Sequence, residues 1–128
     1  MEEYPKEVEI TQQKKAVLRH ISAEDAEKLE DFLKEFPLKE KKFLTEEIED
    51  AESVESWIGR SQKSSFPCVV AEYGEKIIGL VFVRAAKEAS SLQFKDMILM
   101  VDSDYRATHV PSFLSREYFS KTLKKKKT

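Results

Sequence analysis

The chain has 128 residues, 41% of them hydrophobic and 36% charged, with 22 Lys+Arg against 24 Asp+Glu and a formal net charge of −2. That length suits one domain spanning residues 1–128 with one modest core, and the near-neutral balance offers no global field for a polyanion. No apolar run approaches the ~20 residues that cross a bilayer, MEEYPKEVEI has neither the basic start nor the apolar core of a secretory signal, and the single cysteine excludes an internal disulfide, so a cytoplasmic setting without membrane contact is expected.

Val8–Thr11 and Ala16–Ile21 are short β-prone runs separated by Gln12-Gln13-Lys14-Lys15 and read as a hairpin. Ser22 suits an N-cap, with acid three positions on and more acid in the first turn. Ala26, Leu29, Phe32, Leu33 and Phe36 then recur at helical spacing, and Pro37 ends the helix. Leu38 to Asp50 is heavily charged, with Phe43, Leu44 and Ile48 as apolar anchors; a short helix and an irregular connection both fit. Asp50 is placed to cap a following helix whose Val54, Trp57 and Ile58 share one face, and Ser61 to Ser65 reads as a polar loop.

Phe66 to Tyr73 (FPCVVAEY) and Ile77 to Arg84 (IIGLVFVR) are strands joined by the turn Gly74-Glu75-Lys76. Both are apolar on both faces, which implies burial on both sides of a sheet. Cys68, inside the first, is expected to be a buried structural thiol. Gly79 in mid-strand marks a bulge or a close packing contact. Ala85 to Ser91 reads as a loop and Leu92 to Val101 as a strand. Asp102 to Val110 forms a turn, and Pro111 suits the first position of a closing helix with Phe113, Leu114, Tyr118 and Leu123 as its stripe. Helices alternating with mostly antiparallel strands give an α+β (α/β) class with a layered sheet.

The stretch MILMVDSDYRATHVPSFL carries the most chemistry. An apolar strand runs through a short polar turn into an amphipathic helix, a layout that presents the helix's first backbone N–H groups to an anion. Taken with YPKEVEI, VLRHISAEDAEKLEDFL, VESWI and VVAEYGEKIIGLVFV in that order, it resembles the GNAT family of acyl-CoA-dependent N-acetyltransferases over roughly residues 4 to 123. The resemblance implies a layered fold with a central mostly antiparallel sheet flanked by helices, without the family's C-terminal strands. It implies transfer of an acetyl group from acetyl-CoA to a primary amine. The main chain of Met97, Ile98, Leu99, Met100 and Val101 would face pantetheine. Arg106, Ala107, Thr108, His109, Val110 and Ser112 would face the pyrophosphate, and Asp96 lies near where some members place a general base.

Arg106 matches the first position of the family's Gln/Arg-x-x-Gly-x-Gly/Ala turn and is preceded by Tyr105, while His109 and Pro111 stand where the small residues belong. Glycine allows close backbone approach to phosphate; His109 adds bulk and Pro111 removes an N–H donor. The expectation is weakened acetyl-CoA binding, by about ten- to a hundredfold for one lost charge-assisted hydrogen bond. The family tyrosine that protonates the departing thiolate has no counterpart, since Tyr118 falls inside the closing helix. The alternative reading is therefore a catalytically impaired or inactive GNAT-like domain acting as a binding or dimerisation module. Its last strand would pair with a second copy or a strand-completing partner.

Other residues read as structural. His20 alternates with Leu18 and suits a packed or edge position, and two histidines and one cysteine far apart give no metal site. The acidic run Glu46 to Glu55 suits a solvated helix face. Lys124 to Lys127, in the basic tail 124–128, lacks interleaved aromatics and suits a solvated helix end rather than a nucleic-acid site.

Overall fold

A computed structural model describes residues 4–84 and 96–126, with the side chains of residue 96 and of residues 122–126 outside that description. The strands are β1 (Lys6–Glu9), β2 (Lys15–His20), β3 (Val69–Tyr73), β4 (Lys76–Arg84) and β5 (Asp96–Val101), and the α-helices are α1 (Ala26–Lys34), α2 (Leu38–Ala51), α3 (Val54–Gln62) and α4 (Val110–Lys126). The strands form one antiparallel sheet in the order β1-β2-β3-β4-β5. The class is α+β with a layered sheet.

The apolar pattern on both faces of β3 and β4 dictates the layers. Val70, Leu80 and Phe82 pack with Leu29 and Phe32 of α1, Leu44 of α2 and Trp57 and Ile58 of α3. Val69, Ala71, Ile78 and Val81 face the other way and pack with Val110 and Leu114 of α4. Three helices thus cover one face and one helix covers the other. Cys68 is fully buried in the first layer, and burial pushes its thiol pKa up, so it rests there as a neutral apolar group.

The β3–β4 turn is the two-residue type expected for a tight hairpin. Gly74 and Glu75 both take positive φ, at 59° and 64°, between the paired residues Tyr73 and Lys76. Ala71 pairs with Gly79 but Glu72 pairs with Ile77, so Ile78 is an extra residue on β4. This bulge brings both Ile78 and the α-carbon of Gly79 toward α4. A β-carbon at Gly79 would lie 3.0 Å from Leu114 Cδ1, 3.1 Å from Val110 Cγ1 and 3.3 Å from the Met100 carbonyl oxygen. The sequence offered a bulge or a close contact at Gly79, and both are present.

Two connections differ from the sequence-based expectation. Leu38–Ala51 is a regular 14-residue helix, held to α1 by Lys41 Nζ donating to the Leu33 carbonyl at 3.0 Å. The cap of α3 is Ser53 rather than Asp50. Glu52 turns left-handed at φ 77° and ends α2, and the Ser53 hydroxyl accepts the Ser56 amide at 3.0 Å. Glu47, in the run expected to be solvated, accepts Trp57 Nε1 at 3.0 Å. The helix after the turn starts at Val110, so Pro111 takes its second position, where a missing N–H is still tolerated. The loop expected at 85–91 and the first residues of the strand expected from Leu92 lie outside the described residues.

A charge network ties the helical layer to the sheet. Arg19 of β2 donates to both oxygens of the buried Asp25 at 2.7 and 2.8 Å and, through Nε, to Glu72 at 3.0 Å; Lys28 reaches Glu72 at 2.6 Å. The Ser22 amide donates to Asp25 at 2.8 Å and starts the 3-10 turn that leads into α1. Burial pushes the Asp25 carboxyl up, but Arg19 and Ser22 outweigh it and hold the group below its ordinary value. The Lys28 hydrogen bond lowers Glu72 in the same direction. On the other face Glu117 of α4 accepts from Tyr4 Oη and pairs with Lys6 at 2.7 Å; burial raises its pKa, and these two donors bring it below the usual carboxylate range.

Carboxylates with lowered folded pKa values contribute stability that is present above their unfolded values and is lost as pH falls through the folded ones. The urea midpoint is therefore expected to hold near neutrality and to drop once pH falls below the ordinary values of 4.5 for Glu72 and Glu117 and 3.8 for Asp25. Arg19→Met, which strands the buried Asp25 carboxylate, is expected to cost about 3 kcal/mol at pH 7. A denaturant series over pH checks both, and a flat midpoint from pH 7 to 3 would contradict them. Gly79→Val is expected to cost about 1–3 kcal/mol by forcing α4 off the sheet, read as a lower midpoint at unchanged slope.

Candidate functional site at the β5–α4 corner

β5 is the last strand of the sheet, and its hydrogen-bond phase follows from its register. The Asp102 amide donates to the Ile78 carbonyl at 2.9 Å, directly beyond the pair Gly79–Val101. Main-chain groups alternate along an antiparallel strand. Those of Met100 and Ile98 therefore point at β4, and those of Val101, Leu99 and Met97 point outward. The Val101 carbonyl confirms the phase by accepting Arg106 Nε at 3.0 Å. No strand among the described residues covers this outer edge. Of the five β5 residues singled out from sequence, Met97, Leu99 and Val101 offer main chain outward, while Ile98 and Met100 turn theirs inward and their side chains to the α1–α3 layer. Only the alternation, anchored by one inter-strand bond, tells the two sets apart.

The turn after β5 is closed by its own hydrogen bonds. Asp102 accepts the Asp104 amide through Oδ1 at 2.9 Å and the Tyr105 amide through its carbonyl at 2.8 Å. The Thr108 amide donates to the Tyr105 carbonyl at 3.1 Å, and Thr108 Oγ1 donates to that same carbonyl at 2.6 Å while accepting the Val110 amide at 3.2 Å. The His109 amide donates to the Ile10 carbonyl at 3.0 Å, pinning the turn to the β1–β2 connection. Lys14 strengthens that junction, its ammonium lying 5.6 Å from the Tyr73 ring and 5.9 Å from the Tyr105 ring.

The amides of Thr108, His109 and Val110 are thus engaged within the protein. Those of Ala107 and Ser112 have no partner among the described hydrogen bonds, and both residues are exposed. The His109 ring is exposed and lies edge-on to Phe113 at 6.4 Å, while the Val110 side chain is core. Asp96 is the first residue of β5, opposite Arg84, and its side chain lies outside the description.

A cleft of about 390 Å³ opens beside the edge, lined by Leu99, Met100, Val101, Arg106 and Pro111 together with Phe36 and Glu40. Arg106 crosses its mouth. Besides the Val101 carbonyl, its guanidinium holds Glu40 Oε1 at 2.8 Å and lies 6.0 Å from the Phe36 ring. The sequence reading missed Phe36 and Glu40. They sit at the α1–α2 connection, and nothing local to that segment signals its approach to β5.

A larger cavity, about 440 Å³, lies on the α1–α3 face between α2, α3 and the far end of β4, and Glu46, Glu47, Asp50, Trp57 and Phe82 are among its walls. Asp50 there pairs with Arg60 at 3.2 Å. Among the described residues no group of three or more His, Cys, Asp or Glu is arranged to hold a metal ion, and no helix is long and apolar enough to cross a membrane. Comparison of the chain with family models, with curated proteins and with solved structures finds no match.

The phase of β5 is directly measurable. The amides of Met97, Leu99 and Val101 are expected to exchange with deuterium at least about tenfold faster than those of Ile98 and Met100. Equal protection of the two sets, followed by amide-resolved exchange at neutral pH, would mean the edge is covered.

Proposed function

We propose that this chain is a GNAT-like acyl-CoA-binding domain that transfers an acetyl group to a primary amine. The observation that carries the reading is the outer edge of β5, which runs directly into the Arg106 corner and its cleft. The outward N–H and C=O groups of Met97 and Leu99 can pair with the amide groups of a pantetheine arm laid alongside as an added strand. Arg106 and the amides of Ala107 and Ser112 then meet the pyrophosphate at the foot of the strand. The guanidinium suits that role, since it already grips an oxyanion, the Glu40 carboxylate, at 2.8 Å. Because the neighbouring amides are engaged and Pro111 has none, the grip on phosphate is weak and acetyl-CoA affinity is correspondingly low.

The chemistry asked of the protein is mainly alignment. The nitrogen of a neutral amine attacks the thioester carbonyl carbon, the N–C bond forms, the C–S bond breaks, and the departing thiolate takes up the proton that the amine gives up. In this reading Asp96, the first residue of β5, takes a proton from the acceptor ammonium beforehand, the role that the family resemblance implies for it. The carboxylates around the 440 Å³ cavity favour an acceptor of positive charge.

The same edge favours a second reading, an inactive GNAT-like module that pairs β5 with a second copy or with a partner's strand. Calorimetric titration with acetyl-CoA separates the two. Saturable heat below about 1 mM ligand, with acetylation of an added polyamine, is expected of the enzyme. A folded chain that gives no heat at that concentration, and that scatters light as a dimer, is the module.

A further inference from the structure

Resting on the acyl-CoA reading above, we infer that Glu40 is a built-in competitor for the phosphate position, a carboxylate clasp that an anionic ligand must displace from Arg106. Arg106 has one fixed and one exchangeable partner. Its Nε donates to the Val101 carbonyl at 3.0 Å, which sets the guanidinium against the end of the edge strand. Its Nη2 holds Glu40 Oε1 at 2.8 Å, across 66 positions of sequence. Both residues line the 390 Å³ cleft, and both are half-exposed, at 49% for Arg106 and 45% for Glu40.

A phosphate oxygen presents the same charge and the same acceptor geometry as the carboxylate, so the two compete for one donor edge. The pair is solvated enough to open at little cost. Glu40 belongs to the first turn of α2, just after Pro37, so ligand entry frees that turn from its ion pair with the Arg106 corner. The clasp also acts on specificity. With Glu40 in place a neutral or cationic ligand meets no vacant cation at the corner, and only an anion strong enough to replace a carboxylate gains from Arg106.

The test compares the wild-type chain with Glu40→Gln, which removes the charge and keeps the shape, using inorganic pyrophosphate, coenzyme A and phosphate-free pantetheine as probes. Glu40→Gln is expected to bind pyrophosphate and coenzyme A about two- to fivefold more tightly, with pantetheine unchanged. Adding Arg106→Gln is expected to abolish that gain, which identifies the guanidinium as the contested group. Equal affinity of wild type and Glu40→Gln for pyrophosphate, including no binding by either, overturns the clasp. A gain that survives loss of Arg106, or that extends to pantetheine, overturns it as well. A gain toward pyrophosphate in a protein that takes no coenzyme A leaves the clasp standing and removes the acyl-CoA reading instead.

Discussion

Cys68, Val69, Val70 and Ala71 are shut off from water, as are Leu80 and Val81 opposite them, and the architecture answers to that double-sided burial. A hairpin apolar on both faces cannot stand at a surface, so each face needs its own cover. α1, α2 and α3 supply one and α4 supplies the other. The second cover rests on a single axis of close packing, and its approach is set by the bulge at Ile78 and by the absence of a side chain at Gly79. Because α4 is drawn tight there, the turn that feeds it has to fold sharply over the end of β5. The corner with Arg106 is thus a by-product of how the sheet keeps dry.

Charge plays a different part in the two layers. Arg19, Asp25 and Glu72 join β2, the first helical turn and β3 at one buried junction. A buried ion pair adds little net stability relative to an apolar replacement, but its directional bonds fix where α1 enters. Tyr4, Lys6 and Glu117 do the same for β1 and α4. Arg106 stands apart from both, at the end of β5, and its partners are a carbonyl and an exposed carboxylate. The molecule keeps its buried charges locked, while the half-exposed Arg106 has in Glu40 a partner it can release.

How far the residues foretold this depends on the range of the forces involved. The helix over Ala26 to Lys34, the β3–β4 hairpin and the strand-turn-helix at the end were legible because apolar period, caps and turn residues act within a few positions. Leu38–Ala51 was ambiguous because its few apolar anchors sit among many charges, and its helicity is settled by packing of Leu44 and Ala51 on the sheet. The cap moved from Asp50 to Ser53 because Glu52 adopts a left-handed backbone that favours glycine and that no residue type nearby announces. In the site, Arg106 and the strand beside it could be singled out from local pattern. Which β5 residues turn their main chain outward could not, since that depends on the phase of pairing with β4. Phe36 and Glu40 were invisible for the same reason, as their place at the cleft is a contact across the fold.

The tie between Tyr4 and Glu117 spans 113 positions of the chain, and it has a consequence for how this protein is born. On a ribosome the three helices between β2 and β3 emerge before the central hairpin and are ready to shelter one side as soon as it appears. The opposite side, with Val69, Ala71, Ile78 and Val81, waits bare until α4 has cleared the exit tunnel. A nascent chain paused ahead of that point displays a continuous greasy surface, the kind that chaperones hold and that neighbouring nascent chains stick to.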